Sequence, residues 1–470
     1  MLRKARPIDL SSHLDFLRLK EVITMTQMQA RQIKLGAVLE GIGVEQLPWR
    51  DPDLPGDASI NIDWYIENAR LAEEAKFDFV FIADSPLITA DSGPHVLNRL
   101  EPLTLLSAVA VATSKIGLVA TLTTSYWEPY NVARQFGSLD NISRGRAGWN
   151  VVTTAVTDAA RNYGRDEHFD HKVRYDRARE SVEVCQGLWD SYEDDAFPRD
   201  KERGIFLDKT KQHRLDHKGA HFSVAGPLAL TRSKQGYPVI FQSGASEDGR
   251  NLAARIGEGI FADSGEFEEN QIYSADLRAR TAALGRDPDI ILVMPGVDLV
   301  IAETDEAAQA INEARNKTLE VNKLLFQLGR LFNNYNFLKH DFDAPFPDHA
   351  VEKIPKSSTN ERIVRTAREE RLSLRQAAYR FNALTGRFVG SPETIANEIE
   401  RWFVGCAADG FNVRVTRPKE FALFRERVVP ILQARGLFRM DYDHDTLRGH
   451  LGLPVPENRY AATRKQNSSL

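Results

Sequence analysis

Short apolar runs alternate with longer amphipathic segments along most of this chain. Runs rich in Val, Ile, Leu and Phe, bounded by turn residues, are typical of strands that are buried on both faces. Segments with apolar residues at helical spacing follow them, for example residues 63–74 and 267–284. The apolar runs lie at residues 33–39, 77–83, 116–122, 147–152, 237–242, 259–262, 290–302 and 410–415. About eight β-α repeats predict an α/β fold, a TIM-like (β/α)8 barrel with insertions; a doubly wound open sheet is the alternative.

One repeat, between Ile116 and Asn150, carries the strongest polar signal. Its first apolar run ends in hydroxyls that include Thr121 and Thr123, and its second run, in the sequence GWN, contains Asn150. Pro129 stands where a helix between the two runs begins, a position that tolerates its fixed φ. Because a β-α-β crossover is right-handed and joins parallel strands, the hydroxyls and the amide fall at one carboxyl edge of the sheet. Barrels place their chemistry at that edge.

Two segments break the alternation, and both are predicted to be insertions in a single domain over residues 31–453. The first, near 190–222, is strongly charged. The second, near 324–385, is rich in Asn, Phe and charged residues and lacks regular periodicity. Residues 1–30 are predicted to be a flexible N-terminal extension, and the polar residues 454–470 a flexible tail.

Composition narrows the class of protein. The chain has 470 residues, of which 42% are hydrophobic, so it can bury a large core. A net charge of −5 without a basic block argues against a nucleic-acid partner. No apolar run approaches the roughly 20 residues of a membrane span. Cys185 and Cys406 lie in apolar, helix-like contexts and are predicted to be buried free thiols, which fits a reducing, cytoplasmic compartment.

Several polar residues follow or precede the apolar runs at positions suited to ligands. Asp84 comes directly after a strand run, where it could bind a ligand or cap the next loop; the residues alone favour the cap. The small residues 243–246 separate a strand from a helix start, as in a phosphate cradle, but their spacing matches neither a P-loop nor GxGxxG. His171 and Tyr175 stand at the amino end of a helix, which favours anions. Three histidines between residues 213 and 221 do not match a zinc motif and predict an edge hairpin, so no metal site is expected.

Several motifs in a fixed order identify a family resemblance. They are FDFVFIADS, then GLVATLTTSYWEPYNVARQFGSLDNISRGRAGWNVVT, then HKVRYDRARE, then VIFQSGASEDGR. Together they resemble the bacterial-luciferase-like flavin monooxygenases, in the subgroup of nitrilotriacetate monooxygenase component A and dibenzothiophene-sulfone monooxygenase. The resemblance covers roughly residues 33–453. It implies a luciferase-like barrel, a homodimer or homotetramer, and a separate NAD(P)H:FMN oxidoreductase as donor of reduced flavin.

The resemblance also implies a cofactor, a reaction and a set of site residues. FMN, in its reduced form FMNH2, would react with O2 as co-substrate. The resulting C4a-(hydro)peroxide would oxygenate a small organic substrate, with cleavage of a C–N or C–S bond or a related oxidation. His171 is a candidate catalytic proton donor. The expected FMN contacts are Asp84, Thr121, Thr123, Asn150, His171, Tyr175, Ser243, Gly244, Ala245 and Ser246.

Such chemistry requires a dry pocket, because water destroys the oxygenating species. The loop 40–60 and the later insertion are hypothetical pieces of a lid over that pocket. Trp49, Trp127, Phe388 and Phe411 are possible pocket walls, and each is equally compatible with an ordinary place in the core or at the rim.

Three other functions stay open. A deazaflavin-dependent reductase on the same barrel would transfer hydride without O2, so oxygen uptake separates it from a monooxygenase. A non-catalytic flavin-binding protein would bind oxidised FMN tightly without turnover. A metal-dependent barrel hydrolase is disfavoured because Thr, Ser and Asn occupy most of the predicted strand ends.

Overall fold

Eight parallel strands of this protein close into a barrel. The computed structural model describes residues 31–44, 48–88, 92–154, 156–262, 265–332, 335–354, 358–381 and 388–468. The strands are β1 (Lys34–Leu39), β2 (Phe79–Ile82), β3 (Gly117–Thr123), β4 (Ala147–Val152), β5 (His217–Lys218), β6 (Ser223–Val224), β7 (Val239–Gln242), β8 (Gly259–Ala262), β9 (Leu292–Val297), β10 (Leu299–Ile301), β11 (Phe388–Gly390) and β12 (Gly410–Val415).

The barrel runs in the order β1-β12-β9-β8-β7-β4-β3-β2 and is closed by the pairing of β2 with β1. The predicted TIM-like barrel is therefore confirmed, and the open doubly wound sheet is wrong. Outside the barrel, β10 pairs with β11 in parallel and β5 pairs with β6 antiparallel. The long apolar run 290–302 forms two strands, β9 in the barrel and β10 beside it.

Helices surround the barrel, and most begin where capping residues or proline predict a start. Their bounds are Ile62–Glu74, Pro94–Leu97, Pro102–Ala112, Pro129–Ile142, His171–Trp189, Glu247–Ile256, Phe267–Ala283, Asp305–Lys317, Val321–Arg330, Asp348–Val351, Ser358–Glu369, Leu374–Arg380, Pro392–Val404, Pro418–Leu423, Val429–Ala434, Leu447–Leu451 and Arg459–Ser468. A π-helical turn, Phe424–Val428, joins two of them into one path. Pro430 follows this turn, and its missing N–H prevents a regular α-helical bond there.

Strand alternation separates an inner from an outer apolar core. Phe79 and Phe241 meet inside the barrel, with ring centroids 4.9 Å apart. Trp149 points outward, packs against Phe136 of the surrounding helix, and donates its indole N–H to the carbonyl of Leu122 at 3.1 Å. Because successive strand residues face opposite sides, Asn150 must point into the barrel.

Buried carboxylates close the amino end of the barrel. Three of them precede one strand and accept a backbone N–H from a neighbouring strand. The fourth, Asp140, lies in the helix before β4 and accepts the N–H of the first residue of β4. The four pairs are Asp78 with Leu35 (2.7 Å), Asp140 with Ala147 (3.0 Å), Glu258 with Ile240 (2.9 Å) and Asp409 with Val293 (2.8 Å). The short helix Leu447–Leu451 seals the same end, since Arg448 pairs with Glu258 and Leu447 joins the inner core. The carboxyl end of the barrel is left for a site.

The second insertion is more regular than its sequence suggested. Helices within residues 321–381 enclose a separate apolar core that contains Leu325, Phe332, Phe337 and Ile363. The expectation of an irregular segment here is therefore wrong. Two of its helices, Val321–Arg330 and Ser358–Glu369, are strongly amphipathic, so the apolar spacing that predicts them was present in the sequence. Residues 382–385, at the end of the predicted insertion, lie outside the described residues.

The charged segment 190–222 contains half of the predicted hairpin. Strand β5 pairs with β6 just beyond it. Two of its histidines contact carboxylates: His213 approaches Glu193 at 2.9 Å and His217 approaches Glu180 at 3.0 Å. Among the described residues, no three His, Cys, Asp or Glu side chains converge on a place for a metal ion.

The two cysteines and the two ends of the chain were also the subject of predictions. Cys185 is buried as predicted, but Cys406 is exposed, because it stands in the turn after a helix, at φ +56°, and not on the helix itself. The residues expected to form a flexible tail make defined contacts: Asn458 is buried and donates to the carbonyls of Asp190 and Tyr192. The predicted extension 1–30 lies outside the described residues. No helix in the described part of the chain could cross a membrane.

Candidate active site

A threonine and an asparagine form the polar centre of the barrel mouth. Thr121 of β3 and Asn150 of β4 are register partners near the carboxyl ends of their strands. The Asn150 amide nitrogen donates to the Thr121 hydroxyl at 2.9 Å, and both side chains are almost completely buried. The amide oxygen of Asn150 is also buried, and no atom of the described residues donates a hydrogen bond to it. Such an acceptor is costly unless something binds it, so it points to a ligand with an N–H or O–H group.

Thr123, two residues after Thr121 on β3, belongs to a second cluster of polar side chains. Its hydroxyl accepts from the Thr154 hydroxyl at 2.7 Å and from the backbone N–H of Ser125 at 3.2 Å. Thr154 has φ +50°, a left-handed conformation that is rare for a β-branched residue. Strain of this kind concentrates at functional sites. Sequence analysis did not identify Thr154, because a left-handed backbone conformation at a non-glycine residue has no signature in the composition.

Two further side chains, which sequence analysis missed, form hydrogen bonds with the carbonyl oxygen of Thr154. Arg174 donates to it at 2.6 Å, and His168 Nε2 lies 2.9 Å away. Since His168 Nε2 faces a carbonyl, it carries the proton and Nδ1 is an acceptor, which receives the Tyr126 hydroxyl at 2.5 Å. Burial lowers the pKa of His168 and keeps this ring neutral. Tyr126 also stacks on Tyr163, with ring centroids 4.3 Å apart.

His171 and Tyr175 lie together at the amino end of helix His171–Trp189. Their ring centroids are 4.8 Å apart. His171 Nδ1 contacts Asp248 at 2.9 Å, which joins this helix to the start of helix Glu247–Ile256. The His171 side chain is 52% exposed, so it stands at the rim of the mouth and not in the buried centre.

The turn 243–246 is tight and faces that rim. Ser246 caps the next helix, and its hydroxyl accepts from the N–H of Gly249 at 3.1 Å. A Cβ on Gly244 would lie 2.7 Å from the amide nitrogen of Gln242 and 3.6 Å from the Tyr175 hydroxyl. The side chain of Ser243 is exposed, and Ala245 receives a hydrogen bond on its carbonyl from a neighbouring arginine. Small residues therefore leave room for a group at the helix start.

Both carboxylates in the first turn of that helix have partners. Glu247 pairs with Arg280 at 2.6 Å, and Asp248 contacts His171 at 2.9 Å. The charge of Arg280 therefore reduces the repulsion that Glu247 would exert on an anion at this helix terminus. The turn and the helix N–H groups keep the character of an anion site.

Asp84 lies near the aromatic pair of this site, since burial raises the pKa of Tyr163 and the charge of Asp84 adds to that shift, and it is held by an arginine. It pairs with Arg99 at 2.8 Å, and Arg99 also donates to the carbonyl of Ser85 at 2.7 Å. Burial raises the pKa of Asp84, and Arg99 opposes that shift. Within the described residues, no hydrogen bond connects Asp84 to the Thr121–Asn150 pair. The contacts are those of a residue that fixes its own loop.

The four aromatic candidates for pocket walls occupy different places. Phe388 and Phe411 are buried together in the outer core, with ring centroids 5.8 Å apart. Trp49 is exposed, and Trp127 is half-buried against the core. Phe388 and Phe411 therefore serve packing, and Trp49 lies at the surface. Trp127 contacts Tyr163, which stacks on Tyr126.

The chain matches a known protein family over most of its length. The match is to the luciferase-like monooxygenases and covers residues 46–409. N-acetyl-S-(2-succino)cysteine monooxygenase of Bacillus subtilis (strain 168) is 44% identical over 92% of this chain and 99% of its own. Nitrilotriacetate monooxygenase component A of Aminobacter aminovorans is 40% identical over 92% of this chain and 98% of its own.

A solved structure shows the same architecture. It is a riboflavin lyase crystallised with modified FMN and riboflavin, with a TM-score of 0.80 and 30% identity. The alignment covers 91% of this chain and 97% of the lyase. The likeness therefore includes the barrel and most of what surrounds it.

Proposed function

This chain belongs to the luciferase-like monooxygenase family, and we propose that it is the oxygenase of a two-component flavin system. It would take FMNH2 from a separate NAD(P)H:FMN oxidoreductase and use O2 to oxygenate a small organic substrate. Cleavage of a C–N or C–S bond, or a related oxidation, would follow. One observation carries the proposal: the buried amide oxygen of Asn150, beside Thr121, has no hydrogen-bond partner among the described residues, in a barrel whose relatives are monooxygenases.

The residues present fit FMN. Its isoalloxazine ring offers N–H groups to an acceptor such as Asn150 Oδ1, and its phosphate suits the turn 243–246 at a helix start. The Tyr175 hydroxyl lies close enough to Gly244 to contact the same phosphate. When bound, reduced FMN would supply the two electrons and activate O2 at C4a of its ring.

The side chains of this protein would bind, orient and exclude water. Thr121 fixes the amide of Asn150, so its free oxygen keeps one direction. Phe79, Phe81 and Phe241 fill the barrel below and keep water from the inner face of a bound ring. His171, held by Asp248 at the rim, is the candidate proton donor, and its place beside Tyr175 also suits a flavin contact.

Relatives support the substrate class and the partner. One oxidises N-acetyl-S-(2-succino)cysteine, a carboxylated thioether, and another acts on nitrilotriacetate, an aminopolycarboxylate. The second is a component A, which implies a further component that reduces flavin. We infer a carboxylated thioether or amine as substrate. A homodimer or homotetramer, a cytoplasmic location and the single-domain boundaries stay predictions.

Coupled turnover tests the proposal. The protein is mixed with NADH, FMN, a flavin reductase and isotopically labelled O2, with N-acetyl-S-(2-succino)cysteine or nitrilotriacetate as substrate. We expect product that carries one labelled oxygen atom and depends on both proteins. A hydride-transferring reductase would give a reduced product without labelled oxygen, and a flavin-binding protein without turnover would give no product; in both cases the O2 consumed would appear only as hydrogen peroxide from free reduced flavin. Either result with every carboxylated thioether and amine tried would contradict the proposal.

A further inference from the structure

Two arginines pack on the ring of Phe169, in the loop that follows β4. The guanidinium carbons of Arg165 and Arg177 lie 3.8 and 4.7 Å from the centre of this ring. Arg177 also packs on the ring of Phe222, at 4.5 Å. Burial lowers the pKa of Arg177, and the charge of Arg165 adds to that shift. Arg165, Phe169 and Arg177, which we call the arginine cluster, therefore hold two like charges close together.

The arginine cluster lies at the end of the barrel that carries the candidate active site. His168, the residue before Phe169, contacts the carbonyl of Thr154 just beyond β4 at 2.9 Å. Tyr126, just beyond β3, contacts the ring of His168 and stacks on Phe169 with ring centroids 6.4 Å apart. The cluster is therefore tied to the carboxyl ends of the two strands that carry the Thr121–Asn150 pair.

The two guanidinium groups have no paired carboxylate. Among the described residues, no Asp or Glu side chain forms an ion pair with Arg165 or Arg177. Glu128 and Glu180 act on Arg177 only through their charge at longer range, and Glu180 is held by His217 at 3.0 Å. The Nε of Arg177 is buried, and no atom of the described residues accepts its hydrogen bond. A buried charged donor without an acceptor is costly, so it favours an anion from outside the protein.

Acidic residues of the same loop leave the arginine cluster accessible. Asp166, Glu167 and Asp170 are exposed, so water and salt screen their charges. They weaken the positive field of the cluster without occupying its N–H groups. Arg165 is exposed as well, so a solute can reach it from the mouth of the barrel. Guanidinium groups bind carboxylates through paired N–H bonds.

We propose that the arginine cluster binds a carboxylate of the substrate and thereby selects carboxylated substrates. This inference rests on the proposed function, which places the substrate at the mouth of the barrel. Arg165 and Arg177 would hold the carboxylate, and the rings of Tyr126 and Phe169 would cover the apolar carbon chain next to it. The two arginines would bind and orient the substrate and take no part in the transfer of oxygen.

The test compares a double variant, Arg165→Gln with Arg177→Gln, with the single variant Arg161→Gln. Arg161 is an exposed arginine of the preceding turn, Thr157–Tyr163, and forms no ion pair within the described residues. Circular dichroism and thermal melting check the fold of each variant. If the double variant does not fold, Arg165→Gln alone, at an exposed position, gives the same comparison.

Calorimetry at low ionic strength and without phosphate measures binding of succinate, nitrilotriacetate and uncharged succinamide. Each is titrated into flavin-free and FMN-saturated protein, and FMN is titrated separately. We expect the wild type and Arg161→Gln to bind at least one carboxylate, and the double variant to bind it at least about tenfold more weakly. The affinity for FMN should not change, and succinamide should not distinguish the wild type from the double variant.

Three results would overturn the inference. They are equal carboxylate affinity of wild type and double variant, no binding of either carboxylate by the wild type, and a parallel loss of FMN affinity, which would assign the arginines to the cofactor. Failure of the proposed function looks different. In that case the wild type binds no flavin, while the arginine substitutions still weaken carboxylate binding to the flavin-free protein.

Discussion

Asn150 and Thr121 form a hydrogen bond of 2.9 Å between neighbouring barrel strands, and the bond leaves the buried amide oxygen of Asn150 without a partner in the described part of the chain. The pair lies above an apolar barrel interior that includes Phe79 and Phe241. An unpaired acceptor in such surroundings costs roughly 1–3 kcal/mol. A bound ligand that donates a hydrogen bond to this oxygen removes that free-energy cost. In this protein the proposed ligand is the flavin ring.

Replacement of Asn150 with leucine, Asn150→Leu, should weaken binding of FMNH2 by at least about tenfold, because the ring loses its buried acceptor. Thr121→Val should have a smaller effect, since it removes only the group that orients the amide. Anaerobic fluorescence titration measures both affinities, and thermal melting confirms folding. Unchanged affinity in Asn150→Leu would place the flavin elsewhere.

Gly244 is the residue of the turn that has least room for a side chain. In Gly244→Ala, the new Cβ would lie 2.7 Å from the Gln242 amide nitrogen and 3.2 Å from the Cα of Gly249, so the turn must shift. We expect weaker binding of FMN with little change for riboflavin, because only FMN carries a phosphate. Gly56→Ala is the control, since no atom lies within 4 Å of its added Cβ. Equal loss of both flavins would argue against a phosphate site in this turn.

The strands, and the residues at their ends, could be predicted from the sequence because they depend on local patterns of apolar and polar residues. Apolar runs located all eight barrel strands, and two-residue alternation places Trp149 outside and Asn150 inside. The cluster around Thr154 was not accessible, because His168 and Arg174 reach its carbonyl only through loop geometry. Contacts between residues that are distant in the chain leave no local pattern.

The same limit applies to the closed end of the barrel and to the insertion. Arg448 contacts Glu258, which is 190 residues away in the sequence, and the spacing of apolar residues cannot predict such a contact. Arg365, on a helix of the insertion, pairs with Glu269 of the helix that follows β8, and the two residues are far apart in the sequence. The prediction that Cys406 is buried was wrong because a turn with positive φ, at the end of a helix, resembles the helix in composition.

The Arg448–Glu258 pair should be important for stability. Both side chains are buried, and Arg448→Met would leave Glu258 without its charged partner, at a cost of roughly 3–5 kcal/mol. The double variant with Glu258→Gln should recover much of that loss, because no buried charge then stays unpaired. Thermal melting of the two single variants and the double variant measures the coupling. Additive losses would show that the two side chains do not interact.

Stability should fall in mild acid because of His450. Burial lowers the pKa of this histidine from 6.5 to about 4, and its Nε2 faces the carbonyl of Lys115 at 2.8 Å. The unfolded chain therefore binds a proton that the folded chain excludes. The contribution of His450 is fully present above pH 6.5 and is lost as the pH falls towards about 4, by up to about 3 kcal/mol.

Melting temperatures between pH 4 and pH 7 check this prediction. His450→Gln keeps a donor for the Lys115 carbonyl and cannot titrate, so it should show a shallower loss than the wild type. Part of the pH dependence of the melting temperature should persist in this variant, because burial lowers the pKa of His95 to about 4 as well. His349→Gln is the control because that side chain is 82% exposed. Identical slopes in wild type and His450→Gln would contradict the assignment.

The central claim is that this barrel binds reduced FMN and directs its reaction with O2. Anaerobic titration with FMNH2, followed by rapid mixing with O2 while flavin absorbance is recorded, tests it most directly. We predict saturable binding of one flavin per chain, and a transient species, neither reduced nor oxidised FMN, that outlives any formed by free FMNH2. Reoxidation with the kinetics of free FMNH2, or no binding, would contradict the account.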